Sequence, residues 1–266
     1  MYTIMKVAIA SLALGAVQAL PQSQGYQSVP VTSATSVAPP AATASQDSLF
    51  DDLFTAPTAI KRFQRLLTQG QTLFTGDALR KMVVFTFDSN TPPPAGAKGG
   101  VAVSANIETF PILTDLGIST TVGFLEPCGI NTPHVHPRAT EFLTLVEGSN
   151  LEFGYVLENG LVKAGDNPEI ASYLNKFEGT VFPQGSIHFQ FNNNCEKATF
   201  VATLNSEDPG TSQVAQNFFA LNSGVVNATL GFPSSIDGKN IEEFRKYIPA
   251  NLAQDIDVCL AKCNAQ

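Results

Sequence analysis

A chain of 266 residues with 44% hydrophobic content can bury a sizeable core, which excludes disorder throughout. Its formal net charge of −8 repels phosphate backbones and anionic lipid. No Lys/Arg cluster or aromatic-basic stripe offsets that charge locally, so nucleic acid is not an expected partner.

At the N-terminus Lys6 precedes an apolar run from Val7 to Val17, and small residues follow as far as Ala19. This is the pattern of a secretory signal peptide over residues 1–19, cleaved after Ala19. The run is shorter than the ~20 residues a membrane-spanning helix needs, and no later segment reaches that length. The mature chain is therefore expected to be secreted and extracellular, with no membrane anchor. Removing residues 1–19 removes one charged group, Lys6, and takes the formal charge from −8 to −9. Residues 20–46 are rich in Ser, Thr, Ala, Pro and Gln and read as a flexible leader.

Residues 47–81 carry a helical pattern. Leu49, Phe50, Leu53 and Phe54, then Ile60, Phe63, Leu66 and Leu67, share helical faces, with a split at Pro57. Beyond Lys81 and as far as about Leu204 the texture is all-β, short runs rich in Val, Phe, Ile, Leu and Thr divided by Gly, Pro and Asn turns, and the barrel domain is assigned to residues 82–232. Thr91 to Gly100 reads as a loop between strands, and Glu158-Asn159-Gly160 as a hairpin turn. Many short strands without intervening helices imply a sandwich or barrel. Residues 233–266 return to a helical pattern, with Ile241 to Tyr247 as one segment. Leu252, Ile256, Cys259, Leu260 and Cys263 mark another that opens at Pro249. Four cysteines in an exported chain predict disulfides, and four allow three connectivities. Asn227-Ala228-Thr229 is an N-glycosylation sequon.

All three histidines of the chain belong to one constellation. His134 and His136 are two apart on a strand and project from one face, so both imidazoles can aim at one point. Glu141 would face away if that strand continued, but Pro137 to Thr140 can turn the chain, and a hairpin there would return Glu141 across from the histidines. After it, Glu141, Leu143 and Leu145 share one face and Phe142, Thr144 and Val146 the other, and both look buried. His188 follows the turn Pro183-Gln184-Gly185 and alternates with Ile187 and Phe189, on a polar face shared with Gln190 and Asn192. An H-x-H pair alone is better explained as two half-exposed strand residues. Three imidazoles with one carboxylate, however, make a mixed N/O donor set that suits Mn, Fe, Zn, Ni or Cu.

The segment from Gly129 through His134, His136 and Glu141 to Gly148 resembles the first conserved box of germins, H-x-H, x4, E, x6, G. The segment Gly179 to Asn192 resembles the second, P-x-G-x-x-H-x-x-x-N, with its first glycine two residues nearer the proline. Asn205-Ser206 and Pro209-Gly210 are similar to a segment that follows it. Over about residues 82 to 250 the chain is thus identified as a member of the cupin superfamily, close to germin-like and spherulin-like proteins. The resemblance implies a single-domain jelly-roll β barrel with flanking N- and C-terminal helices. It also implies a metal, usually manganese, held by His134, His136, Glu141 and His188.

Germins that oxidise oxalate place two asparagines near the open metal positions. Asn131 matches one of them, and Thr121 stands at the other. Gln190 is a further candidate substrate contact on the face of His188. The implied function is that of an extracellular manganese oxidoreductase acting on a small anion, oxalate or superoxide. The alternative is a non-enzymatic wall, spore or storage protein of spherulin type. An isomerase on the same barrel would need a general acid or base besides the ligands, and no spare histidine exists. If the His134 and His188 strands are antiparallel neighbours, as in this family, Cys128 lies opposite Cys195 and a Cys128–Cys195 disulfide is expected. Cys259 and Cys263, four apart on a helix, could stay reduced, bridge each other or link subunits. Residues 240–263 are expected to join copies into a homo-oligomer.

Overall fold

Alternation of period two decides which side chains of each strand go inside. In Ala198–Leu204 the side chains of Ala198, Phe200, Ala202 and Leu204 are all buried, while Thr199, Val201 and Thr203 between them are half-buried. In the computed structural model, which describes residues 44–231, 253–254 and 259–264, such strands assemble into two main sheets. The expected signal peptide, most of the leader, the sites of Ile241 to Tyr247 and those of Leu252 and Ile256 lie outside the described residues.

The N-terminal helices form on either side of Pro57, as α1 (Ala44–Thr55) and α2 (Ala59–Leu67). Thr58 caps α2, its hydroxyl accepting a hydrogen bond from the Lys61 amide at 3.3 Å. Leu53 and Leu66 supply the buried face, whereas Phe54 and Ile60 are exposed. A two-stranded hairpin, β1 (Thr68–Gln69) and β2 (Thr72–Leu73), leads to α3 (Gly76–Val83). Residues 84–99 hold no strand, so the proline-rich loop precedes the first barrel strand and does not connect two.

One barrel sheet contains β3 (Gly100–Ala105), β4 (Ser119–Leu125), β6 (Glu141–Glu147), β9 (Gly179–Phe182) and β11 (Ala198–Leu204), in the order β3-β4-β11-β6-β9. The other contains β5 (Gly129–Val135), β7 (Leu151–Val156), β8 (Ile170–Leu174), β10 (Ile187–Phe191) and β12 (Ser212–Gln213), in the order β12-β5-β10-β7-β8. The short β13 (Ala253–Gln254) also pairs with β5. All these pairings are antiparallel, and from β4 onward the chain passes repeatedly between sheets, which is jelly-roll topology. Leu125, Leu143, Leu145, Leu151, Phe153 and Phe182 are among the residues that fill the space between the sheets.

Three local readings are corrected. Asn159 and Gly160 sit in a turn, but the turn is part of a longer loop, residues 157–169, between the paired strands β7 and β8. Only one face of β6 is buried, since Phe142 is 55% exposed. The C-terminal helical region begins at residue 214, inside the span assigned to the barrel domain, with α4 (Val214–Ala220) and α5 (Ser223–Thr229). Short apolar runs such as Phe218-Phe219 do not distinguish helix from strand by pattern. Asn222 starts α5 by accepting hydrogen bonds from the amides of Gly224 and Val225.

The cysteine pairing also differs from expectation. Cys128 bonds to Cys259 and Cys195 to Cys263. The strand register does bring Cys128 near Cys195, and the Cys128 amide donates to the Asn194 carbonyl at 3.3 Å. Both cysteines instead meet helix α6 (Cys259–Asn264), whose Cys259 and Cys263 lie one turn apart on one face. The Cα separations, 5.7 and 5.2 Å, fall within the ~4.4–6.8 Å that a disulfide spans. Each helical cysteine is therefore used by the barrel of its own chain. Non-reducing peptide mapping should recover Cys128–Cys259 and Cys195–Cys263 peptides; a Cys128–Cys195 peptide would contradict this arrangement.

Candidate metal centre

The centre starts from one cross-strand pair. β5 and β10 are antiparallel neighbours in a register that sets His188 opposite His134, and the two rings stand 4.2 Å apart between centroids. His136 follows β5 on the same side and Glu141 opens β6. Glu141 does not return as the partner strand of a hairpin. β5 and β6 belong to different sheets, Pro137 to Thr140 carries the chain across, and Glu141 faces the histidines through the barrel interior.

All four side chains are buried, and their donor atoms lie within 4.8 Å of one another. Each imidazole is fixed from behind. His134 Nδ1 is 2.8 Å from the Thr132 carbonyl, His136 Nδ1 2.6 Å from the Gly210 carbonyl, and His188 Nδ1 3.0 Å from the Ser186 carbonyl. A carbonyl oxygen only accepts, so each Nδ1 carries the hydrogen and each Nε2 faces the centre. Glu141 Oε2 is 2.9 Å from His136 Nε2 and 3.5 Å from His188 Nε2, and the latter buried atom makes no hydrogen bond. Phe182 stacks on the His188 ring at 4.4 Å, which joins the centre to the apolar core.

The charge states follow from this packing. Burial, joined by the neighbouring His188, pushes the His134 pKa down to about 3, so this ring is neutral in ordinary buffers. Burial is the largest influence on His136 and opposes its charge, but the hydrogen bond to Glu141, the attraction of that carboxylate and the Gly210 carbonyl together outweigh it and raise the pKa above 6.5. For Glu141, burial favours the neutral acid, yet the hydrogen bond from His136 and the close approach of His188 together hold its pKa down to about 2. The metal-free centre thus holds a carboxylate beside a protonatable imidazole, and a cation can take the place of that proton. A buried set of three imidazoles and one carboxylate, each imidazole locked with Nε2 inward, fits a divalent metal.

Beside the centre is a small cavity of about 90 Å³. Asn131, Thr121 and Ser104 form polar parts of its lining, and Phe200, Ala202 and Leu204 an apolar wall. Thr121 Oγ1 shares a hydrogen bond with Ser104 Oγ at 2.7 Å. Asn131 Nδ2 donates to Gln190 Oε1 at 2.6 Å, so Gln190, fully buried, stands behind Asn131. Asn227 is not among the residues that line this cavity; it is half-buried in α5 with a buried amide oxygen.

Sequence reading missed the supports. Gly210 holds His136, and Arg138 fastens the Gly210 loop by donating to the Asp208 carbonyl and carboxylate at 2.8 and 2.7 Å. The similarity of Pro209-Gly210 to a germin segment was the one available signal. A carbonyl contact leaves no mark on residue type, and Ser104 and Phe182 carry no motif at all.

The family model for cupins matches residues 87–239. Spherulin-1A of Physarum polycephalum is 36% identical over 220 residues, 83% of this chain and 80% of that protein. Germin-like protein 1-3 of Oryza sativa subsp. japonica is 36% identical over 154 residues, 58% of this chain and 66% of its own. Among solved structures, an oxalate oxidase in complex with the substrate analogue glycolate superposes with a TM-score of 0.52 at 25% identity. That match covers 61% of this chain and 79% of the other. The chain belongs to the cupin family, and its relatives are spherulins and germin-like proteins.

Acid should destabilise the metal-free protein in a defined window. Unfolded, the His134 side chain takes a proton near 6.5; folded, it does so only near 3. The unfolded state therefore binds more protons between those values, and stability falls as pH drops through them. Glu141 adds a loss of the same sign as pH falls from 4.5 towards 2. Calorimetry of chelated protein should show a melting temperature that declines from about pH 6.5 downward, and less steeply in His134→Gln.

Proposed function

We propose that this chain is a secreted cupin that binds one divalent metal, manganese, through His134, His136, Glu141 and His188, and acts as an oxidoreductase on a small anion such as oxalate or superoxide. The observation that carries the reading is the set of Nδ1–H contacts to the carbonyls of Thr132, Gly210 and Ser186, which leave three Nε2 atoms converging beside one carboxylate. The donor set suits Mn, Fe, Zn, Ni or Cu alike, and manganese is chosen among them on the resemblance of the two ligand segments to those of germins. Secretion is supported by two disulfides, which persist in oxidising compartments, and by the likeness to germin-like proteins.

A bound manganese would supply Lewis acidity and one-electron exchange. The protein's own part is to admit and hold the anion. A cavity of about 90 Å³ takes only a few heavy atoms, since one water occupies ~30 Å³ in the liquid. Asn131 and Thr121 would hydrogen-bond the substrate from the polar side, and Phe200, Ala202 and Leu204 would limit water. Gln190 would keep the Asn131 amide in place.

The non-enzymatic reading draws on the long match to spherulin-1A and on Thr121, whose hydroxyl is already engaged by Ser104. Hydrogen peroxide released from oxalate and dioxygen by manganese-loaded protein separates the two. Release that disappears in His188→Ala is the expected result. A fully metallated protein that yields no peroxide from oxalate and does not dismute superoxide, but loses much of its thermal stability on chelation, would establish the structural role.

A further inference from the structure

The four cysteines form one cluster at the end of the β5–β10 ladder, beyond the candidate metal centre. Besides the two bonded pairs, Cys128 Sγ lies 3.8 Å from Cys263 Sγ, so the disulfides touch each other. Their exposure differs. Cys128 and Cys259 are 0% and 1% exposed, whereas Cys195 and Cys263 are half-buried. A surface pocket of about 270 Å³ opens on Cys195 of the outer pair and is lined also by Ser149, Asn194, Glu196, Lys197 and Lys262. Lys197 is paired with Glu126 at 2.7 Å, while Lys262 makes no ion pair among the described residues. A solvent-accessible disulfide beside a cation favours thiolate attack, because the cation draws an anionic thiol in and stabilises the leaving thiolate.

We propose that the Cys195–Cys263 disulfide is a thiol-exchange site for a small anionic thiol, and that Cys263 relays the exchange to the buried Cys128–Cys259 bond. The entering thiolate bonds to Cys195 Sγ, the Cys195–Cys263 bond breaks, and its electron pair leaves on Cys263. The Cys263 thiolate then bonds to Cys128 Sγ, the Cys128–Cys259 bond breaks, and Cys259 leaves as a thiolate that takes a proton from water. Two disulfides are present before and after, one external thiol is consumed and one protein thiol appears, so neither oxidant nor reductant is required. The product holds α6 by one disulfide in place of two.

Reduced glutathione is a suitable probe, with 2-mercaptoethanol as the neutral comparison. Folded full-length protein is incubated briefly with either, quenched with an alkylating agent and mapped by mass spectrometry. The expected product carries glutathione on Cys195, a Cys128–Cys263 peptide and an alkylated Cys259. Lys262→Glu, a surface change, should slow glutathione addition several-fold and leave 2-mercaptoethanol nearly unaffected. Absence of an adduct, or an adduct on Cys195 with Cys128–Cys259 intact, would overturn the relay. Equal slowing of both thiols by Lys262→Glu would overturn the preference for an anion.

Discussion

The antiparallel register of β5 and β10 is the constraint on which the rest of the structure depends. His188 opposite His134 sets two imidazoles ring to ring, and the same ladder puts Gln190 opposite Asn131, with a shift in register between the two pairs. Beyond the end of that ladder it brings Cys128 beside residues 194 and 195, where α6 is fastened. A slip of one residue would turn every one of these side chains to the other face of the sheet. Centre, polar cavity and cysteine cluster are thus successive levels of a single strand pair.

That pair also reverses the usual sense of an amphipathic strand. The polar face of β10, His188, Gln190 and Asn192, is at most 2% exposed, while Ile187 on the opposite face is 41% exposed. Burying polar groups is unfavourable unless they are hydrogen-bonded. Most are: Asn192 donates to the carbonyls of Glu126 and Glu196, and Asn131 donates to Gln190. The exceptions, His188 Nε2 and Gln190 Nε2, lie at the centre and directly behind its cavity. A barrel interior that keeps such atoms unpaired retains polar capacity for a ligand, which is where exceptions to local rules are expected to concentrate.

The metal-ligand pattern was legible because its donors sit at strand spacings that survive any tertiary arrangement. His134 and His136 share a side by period two, and turn residues flank both segments. Two kinds of feature were not legible. Glu141 reaches the histidines from the other sheet, and local turn chemistry does not say whether a chain pairs back or crosses over. Cys259 and Cys263 lie more than 60 residues beyond Cys195, on a helix whose docking position no local pattern records. The register alone placed Cys128 near Cys195, correctly, yet proximity on neighbouring strands did not make a bond once α6 supplied two sulfurs at helical spacing. The supports of the centre were hidden for a third reason: Thr132, Gly210 and Ser186 contribute backbone carbonyls, which every residue type possesses.

The central claim is that three Nε2 atoms and one carboxylate hold a single cation. Electron–nuclear double resonance on manganese-loaded protein, with stoichiometry from elemental analysis after dialysis, tests it most directly. The account predicts one manganese per chain with hyperfine couplings to three imidazole nitrogens. Loss of the metal on dialysis, or a bound ion coupled to fewer than three imidazoles, would contradict it.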